Sequence, residues 1–242
     1  MARGRSQFIT LALVGGLIGA ALFGALALVP RPASKPEFDG TLMDPPLSAP
    51  DFVLTDQHGQ LFQLSDVQGK VVVLTFLYTS CEDVCPFIGA KLRSATEILG
   101  GLANEVELVV VTTDPERDTP ERATEYSRTL GMLDSWRYLN GDPTELQAVW
   151  QGYFIGPQRS DESHAEVSIE TLTDYGLLNG LTDQDIESAL QTIELYGGGY
   201  DVGHSTPVWL IDKSGQILVL HGQDFLPSEL VHDIQILLES SP

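Results

Sequence analysis

The architecture of this chain can be worked out from one stretch, residues 71–99, which reads VVVLTFLYTSCEDVCPFIGAKLRSATEIL. Its first eight residues form a near-continuous run of apolar, β-branched and aromatic side chains, which is typical of a strand buried on both faces. The later part carries apolar side chains at helical spacing: Ile88, Leu92, Ala95 and Leu99. The stretch therefore predicts a buried strand, a short loop and a helix.

Strand and helix patterns continue to alternate after this stretch. Further strands are predicted over residues 106–111, 136–139, 208–211 and 217–220, and further helices over 119–130, 142–150, 183–196 and 227–238. Before the stretch, the turn signal at residues 56–59 predicts a hairpin. This order predicts an α/β domain with a thioredoxin-like central sheet and flanking helices.

Two cysteines, Cys81 and Cys85, occupy the junction between the predicted strand and helix. Proline has no N–H donor and clashes inside a helix, so Pro86 must lie in the first turn, with Cys85 at the helix start and Cys81 in the loop before it. Both sulfurs then face the positive end of the helix dipole, and we expect the pKa of at least one to lie below that of a free cysteine. Two sulfurs this close could form a redox disulfide or bind one metal ion together.

A histidine far downstream supplies a third possible ligand. His204 lies in the segment DVGHS, residues 201–205, shortly before a predicted strand. Two thiolates and one imidazole suit Cu(I), because thiolate selects soft, polarisable ions. A structural zinc site normally closes with four protein ligands, and this set has three. We therefore predict a copper site formed by Cys81, Cys85 and His204.

The first 50 residues predict a membrane anchor and a tether. Residues 8–29 are mostly apolar and uncharged, long enough to cross a hydrocarbon core of about 30 Å, so we predict a transmembrane helix within residues 1–29. A cleaved signal peptide is the alternative, because Ala25-Leu26-Ala27 resembles a processing site. Residues 30–50 are proline-rich and predict an extended tether, with the globular domain over 51–240.

Charge is distributed unequally along the chain. Residues 1–36 hold 4 of the 13 basic residues and no acidic ones, which leaves 9 basic against 34 acidic residues, or −25, in the remainder. Such a surface repels nucleic acid and attracts cationic proteins or metal ions, so no nucleic-acid partner is expected. Solubility alone would also explain the charge. A dithiol that meets oxidants or metal favours a domain on the extracytoplasmic side of the membrane.

Three ordered motifs resemble the signature stretches of the SCO1/SenC family. They read TSCEDVCP at residues 79–86, TDPERDTPE at 113–121, and DVGHS with WLID at 201–212. The resemblance implies a membrane-tethered copper-binding protein that helps assemble the CuA centre of cytochrome c oxidase, with the copper-containing subunit of that oxidase as partner. It also implies that Cys81, Cys85 and His204 are the copper ligands, and that Asp114 lies near the site as an outer neighbour. A helix-capping or turn role is the alternative for Asp114, because Pro115 follows it.

The chain departs from the family pattern at three places. Glu82 replaces the proline usual after the first cysteine, Gly203 replaces the aspartate common before the histidine, and residues 158–199 look like an insertion. A metal-bound histidine usually has an oriented partner for its second ring nitrogen, so the loss of that aspartate leaves open what orients His204.

The cysteine pair also fits functions other than copper transport. A thiol-disulfide oxidoreductase would use Cys81 and Cys85 to reduce a partner disulfide, and a redox sensor would use the same pair to recruit a partner. Three intervening residues favour metal binding, because dedicated oxidoreductases of this fold usually show CxxC. We therefore expect a carrier rather than an enzyme, with the oxidoreductase as the alternative.

Overall fold

The computed structural model describes residues 36–160 and 168–240. Its compact unit begins at Phe38. The predicted membrane anchor over residues 1–29 lies outside the described residues. Within the two described ranges, no helix combines the length and the apolar character that a membrane span requires.

The described residues form a mixed α/β structure, as predicted. The strands are β1 (Thr41–Ser48), β2 (Val53–Asp56), β3 (Leu61–Gln63), β4 (Val71–Leu77), β5 (Val106–Thr112), β6 (Arg137–Asn140), β7 (Gln158–Ser160), β8 (Asp201–Gly203), β9 (Val208–Ile211) and β10 (Gln216–His221). The helices are α1 (Val84–Leu99), α2 (Pro120–Thr129), α3 (Pro143–Gly152), α4 (Ile169–Asp174), α5 (Asp183–Tyr196) and α6 (Pro227–Glu239).

Eight of these strands form one central sheet in the order β1-β10-β9-β4-β5-β6-β2-β3, and β7 pairs with β8 separately. Strands β4, β5 and β6 run parallel, whereas β9 lies antiparallel to β4. The loops that follow β4 and β5 therefore leave the sheet at the same edge, where sites of open α/β sheets gather. The final β9–β10 hairpin and α6 complete the arrangement that the sequence predicted.

Strand β4 is the centre of the core, and all seven of its residues are buried. Its alternate side chains face opposite layers. Val71 and Val73 pack in the cluster that contains residues of α1, α2 and α6. Val72, Leu74 and Phe76 pack in the cluster that contains residues of α3. Because helices cover both faces of β4, the prediction of a strand buried on both faces is confirmed.

The predicted tether over residues 30–50 is wrong for residues 41–48, because the sheet begins there and not at Asp51. Strand β1 pairs antiparallel with β10 at the edge of the sheet, and its register shifts between Leu42 and Leu47, around the two prolines. An edge strand tolerates prolines, since one side of its backbone needs no ladder hydrogen bonds. Its mostly exposed side chains also explain why no apolar period marked it.

The predicted insertion, residues 158–199, contributes to the helix layer where it is described. Leu172 and Leu177, from α4 and the turn after it, and Ala189 of α5 form a buried cluster with Phe87 and Ala90 of α1. This segment therefore packs against the helix that carries Cys85.

Candidate metal centre

Both cysteines lie at the junction of β4 and α1. Cys81 is in the loop, Asp83 is the N-cap residue, Cys85 is the second residue of the helix, and Pro86 follows in the first turn, as predicted. The two side chains are free thiols that are 1% and 0% exposed. The strand, the loop and the helix start thus place two sulfurs beneath the surface at the carboxyl edge of the sheet.

Asp83 connects the loop cysteine to the helix start. Its Oδ1 atom accepts hydrogen bonds from the backbone N–H of Val84 at 2.5 Å and from the thiol of Cys81 at 2.8 Å. The backbone N–H of Cys85 points at the Cys81 sulfur, 3.4 Å away. The first turn of α1 therefore directs an amide dipole at one of the two sulfurs.

The two thiols differ in acidity. Burial raises the pKa of Cys81, and the neighbouring Cys85 and Asp83 raise it further. Burial also opposes ionisation of Cys85, but hydrogen bonds from Cys81 and His204 and the charge of His204 outweigh it, so the pKa of Cys85 is lowered. Cys85 is therefore the sulfur that ionises first, in agreement with the expectation that at least one cysteine is acidic.

His204 lies beside Cys85, and its role as a metal ligand stays a prediction. Burial lowers the pKa of His204, but its hydrogen bond with Cys85 and the charge of that thiolate prevail and raise it. The ring is half-buried, and its edge meets the ring of Tyr78 with 5.7 Å between centroids. Folding has thus brought the distant imidazole to one of the two cysteines, Cys85.

The backbone orients His204 in place of the missing aspartate. His204 Nδ1 lies 2.7 Å from the carbonyl oxygen of Ser205, and Nδ1–H donates to it, which leaves Nε2 free to face Cys85 or a metal ion. The ligand atoms of Cys81, Cys85 and His204 do not all lie within 4.8 Å of one another. Binding of one ion by all three would therefore require these atoms to move closer together.

Tyr78 holds the segment that carries His204, a role that the sequence analysis missed. Its hydroxyl donates to Asp201 Oδ1 at 2.5 Å and accepts a longer bond from Val202 N–H at 3.5 Å. Because Tyr78 directly follows β4, this contact fastens β8 to the central strand. The only sequence signal for this role of Tyr78 was the polar character of the residues at the end of β4.

Asp114 is buried two residues beyond the end of β5, at the predicted edge of the sheet. Its carboxylate accepts a hydrogen bond from Tyr200 at 2.7 Å and forms an ion pair with Arg117, whose guanidinium stacks on the Tyr200 ring at 3.8 Å. These contacts hold the segment before β8 in place. None of them involves a candidate metal ligand. An outer role of Asp114 toward a metal stays a prediction.

The sequence of this chain matches a known protein family. The SCO1/SenC family model matches residues 41–182, which is more than half of the chain. The chain belongs to the SCO1/SenC family. The matched span begins with β1 and contains both cysteines and Asp114, but it ends before His204. The position of His204 in this SCO1/SenC protein therefore rests on the fold.

Individual proteins are also similar to this chain in sequence or in structure. An SCO2-like protein of Rickettsia typhi is 26% identical over 167 residues, covering 69% of this chain and 66% of that protein, about two thirds of its length. The solution structure of apo Sco1 from Thermus thermophilus superposes with a TM-score of 0.61 at 27% identity, covering 85% of this chain and 99% of that one. Bradyrhizobium japonicum ScoI, solved with copper bound, gives 0.59 at 22% identity, with 79% and 99% covered.

Asp118 is a second residue of the site region that the sequence analysis missed. It is fully buried and accepts hydrogen bonds from Thr79 N–H at 3.0 Å, from the hydroxyls of Thr79 at 2.5 Å and Thr112 at 2.6 Å, and from Tyr138 at 2.9 Å. Burial raises its pKa, and these hydrogen bonds limit the rise. Asp118 ties the loop after β4 to the loop after β5, which fixes the base of the cysteine loop.

Proposed function

We propose that this SCO1/SenC protein is a copper-binding metallochaperone that assists assembly of the CuA centre of cytochrome c oxidase. The observation that carries the proposal is the contact between His204 and Cys85, which brings an imidazole from the β8–β9 segment to one of the two sulfurs at the β4–α1 junction. Family membership and the copper bound by the Bradyrhizobium relative support the choice of metal.

The three side chains would bind Cu(I) as cargo. Cys85 is the more acidic thiol and His204 its partner, so the incoming ion replaces the proton shared between them. Cys81 releases its proton and becomes the second thiolate. Two thiolates and one imidazole leave room for a ligand from an acceptor protein to approach, so the ion can move by ligand exchange.

The acceptor is the copper-containing subunit of the oxidase. The net charge of −21 suits a cationic docking face on such a partner. The chain is held at the membrane by the predicted helix within residues 1–29, with the folded domain on the extracytoplasmic side. If that segment is instead a cleaved signal peptide, the domain reaches the same side without an anchor.

Replacement of His204 tests this proposal. His204→Ala removes one of three ligands, so the affinity for Cu(I), measured by competition with a chromogenic chelator, should fall at least tenfold. The dithiol should still oxidise reversibly to a disulfide. His58→Ala removes an exposed histidine elsewhere and should leave the affinity unchanged. Equal affinities for the two variants would remove His204 from the site.

One observation favours a second function, thiol-disulfide oxidoreductase. The pKa of Cys85 is lowered while that of Cys81 is raised, which is the asymmetry expected of an attacking and a resolving cysteine. Cys85 would attack a partner disulfide, and Cys81 would release the partner as a dithiol while the pair becomes a disulfide. The complete burial of Cys85 makes direct attack difficult. Stoichiometric reduction of a partner disulfide by the metal-free reduced chain would support this reading.

A further inference from the structure

A second cluster of possible metal ligands joins the start of the compact unit to helix α6. Asp39 precedes β1, and His232 and Asp233 lie on α6. One ligand atom from each lies within 4.8 Å of the others. His232 Nδ1 is 2.9 Å from Asp39 Oδ2 and 3.3 Å from Asp233 Oδ1.

These separations match the edges of a coordination polyhedron. Metal–ligand distances of about 2.1 Å put neighbouring ligand atoms about 3.0 to 3.4 Å apart in octahedral or tetrahedral geometry. A small divalent cation could therefore bind His232 and the two carboxylates with little movement of the ligands.

The carboxylate of Asp233 is fixed before any ion arrives. The residue is fully buried; Oδ1 accepts a hydrogen bond from Asp39 N–H at 2.8 Å and Oδ2 one from Gly40 N–H at 2.9 Å. A Cβ at Gly40 would lie 2.8 Å from His221 Nε2 and 2.5 Å from Val219, so only glycine permits this approach. Oδ2 also faces His221 Nε2 at 2.9 Å, which leaves Oδ1, 3.3 Å from His232 Nδ1, as the oxygen available to a metal.

A buried imidazole faces the other oxygen of Asp233. The side chain of His221 is 3% exposed, and its Nε2 lies 2.9 Å from Asp233 Oδ2, which is an ion-pair distance. Outer neighbours of this kind commonly orient ligating carboxylates.

From these contacts, we propose that Asp39, His232 and Asp233 form a second metal site, separate from the cysteines, for a divalent cation such as Zn²⁺. One imidazole and two carboxylates suit a borderline or hard divalent ion, whereas Cu(I) prefers the thiolates. The side chains of His232 and Asp39 are 50% and 44% exposed, which gives an ion access and leaves positions for water. A bound ion would fasten the start of the compact unit to α6.

Zinc titration of the full chain with Cys81→Ser and Cys85→Ser tests the proposal independently of copper binding. One equivalent of Zn²⁺ should bind, and the thermal midpoint should rise with zinc concentration, because the ion binds only the folded chain. Adding His232→Ala should weaken binding at least tenfold and abolish the thermal shift. Adding His58→Ala instead should change neither. Absence of zinc binding, or equal binding by the two histidine variants, would overturn the proposal.

Cobalt spectroscopy of the unmodified chain covers the case in which the cysteine variant fails to fold. Co²⁺ at the proposed site should show no thiolate-to-metal charge-transfer band, and this population should disappear in His232→Ala. If all bound Co²⁺ shows the thiolate band, or if the thiolate-free population persists in His232→Ala, the site does not exist.

Discussion

The sulfur half and the imidazole half of the candidate copper site are held in different ways. Cys81 and Cys85 sit on backbone fixed by a fully buried strand and the first turn of a 16-residue helix. His204 follows a strand of three residues, is half-buried, and is positioned by hydrogen bonds of its neighbours. The core therefore preorganises the sulfurs, whereas a few polar contacts place the imidazole. Substitutions in the two halves should differ accordingly.

Loss of a sulfur should have the greatest consequence. Cys85→Ser removes the more acidic thiolate, so the Cu(I) affinity should fall by more than about a hundredfold, beyond the 10- to 100-fold typical of outer neighbours. A chelator competition assay measures this, and circular dichroism checks that the fold is retained. An affinity within threefold of the unmodified chain would show that the sulfurs are not the main ligands.

Lys91 tests how firmly the sulfur-bearing helix is held. Its ammonium is buried and donates to the carbonyls of Gly176 at 2.9 Å and Gln223 at 3.1 Å, and burial lowers its pKa from 10.5 to about 8. Between these values the unfolded chain binds more protons than the folded one, so stability should rise with pH, by about 3 kcal/mol in all.

Urea unfolding from pH 7.5 to pH 10.5 measures this rise, and Lys91→Met should flatten it. A fall in stability over the same interval, specific to the chain with Lys91, would mean that the charged amine is stabilising in the folded state.

Tyr78→Phe should loosen only the imidazole half. The change removes the hydroxyl bonded to Asp201 but keeps the ring against His204, so Cu(I) affinity should fall about tenfold. The pKa of Cys85 should stay below that of Cys81. Tyr153→Phe is the matched control, because it removes another buried hydroxyl, 2.9 Å from the carbonyl of Pro50 and remote from the site. Equal effects of the two changes would show that Tyr78 acts only through general stability.

Asp114→Asn should have the smallest effect on metal binding. The carboxylate bonds to Tyr200 and Arg117, so its loss should reduce stability by about 1 kcal/mol and change Cu(I) affinity less than threefold. Thermal unfolding and chelator competition measure the two quantities. A tenfold loss of affinity without loss of stability would instead place Asp114 next to the metal.

The sequence predicted the sulfur half more completely than the imidazole half, for a physical reason. The apolar run before Cys81 and the helix limit set by Pro86 are local signals, and they place both cysteines. The approach of His204 depends on the pairing of Tyr78 with Asp201, which are 123 positions apart. No local pattern encodes that contact, so the sequence predicted His204 only from the chemistry of its side chain and from the family resemblance.

Strand β1 and the burial of Asp118 could not be predicted from the sequence, for related reasons. Strand β1 contains prolines and exposed side chains because it lies at the edge of the sheet, so its pattern resembles a tether. A charged residue just before a predicted helix is expected at the surface, but in the structure four hydrogen-bond donors allow Asp118 to be buried. Burial of a polar group depends on partners that only the fold assembles.

X-ray absorption at the copper edge of the Cu(I)-loaded chain tests most directly whether the two halves meet at one ion. The proposed site predicts two sulfur ligands and one nitrogen ligand in the unmodified chain, and two sulfurs without that nitrogen in His204→Ala. An unmodified chain whose copper has two sulfurs in linear geometry and no nitrogen, or only nitrogen and oxygen ligands, would contradict the proposed site.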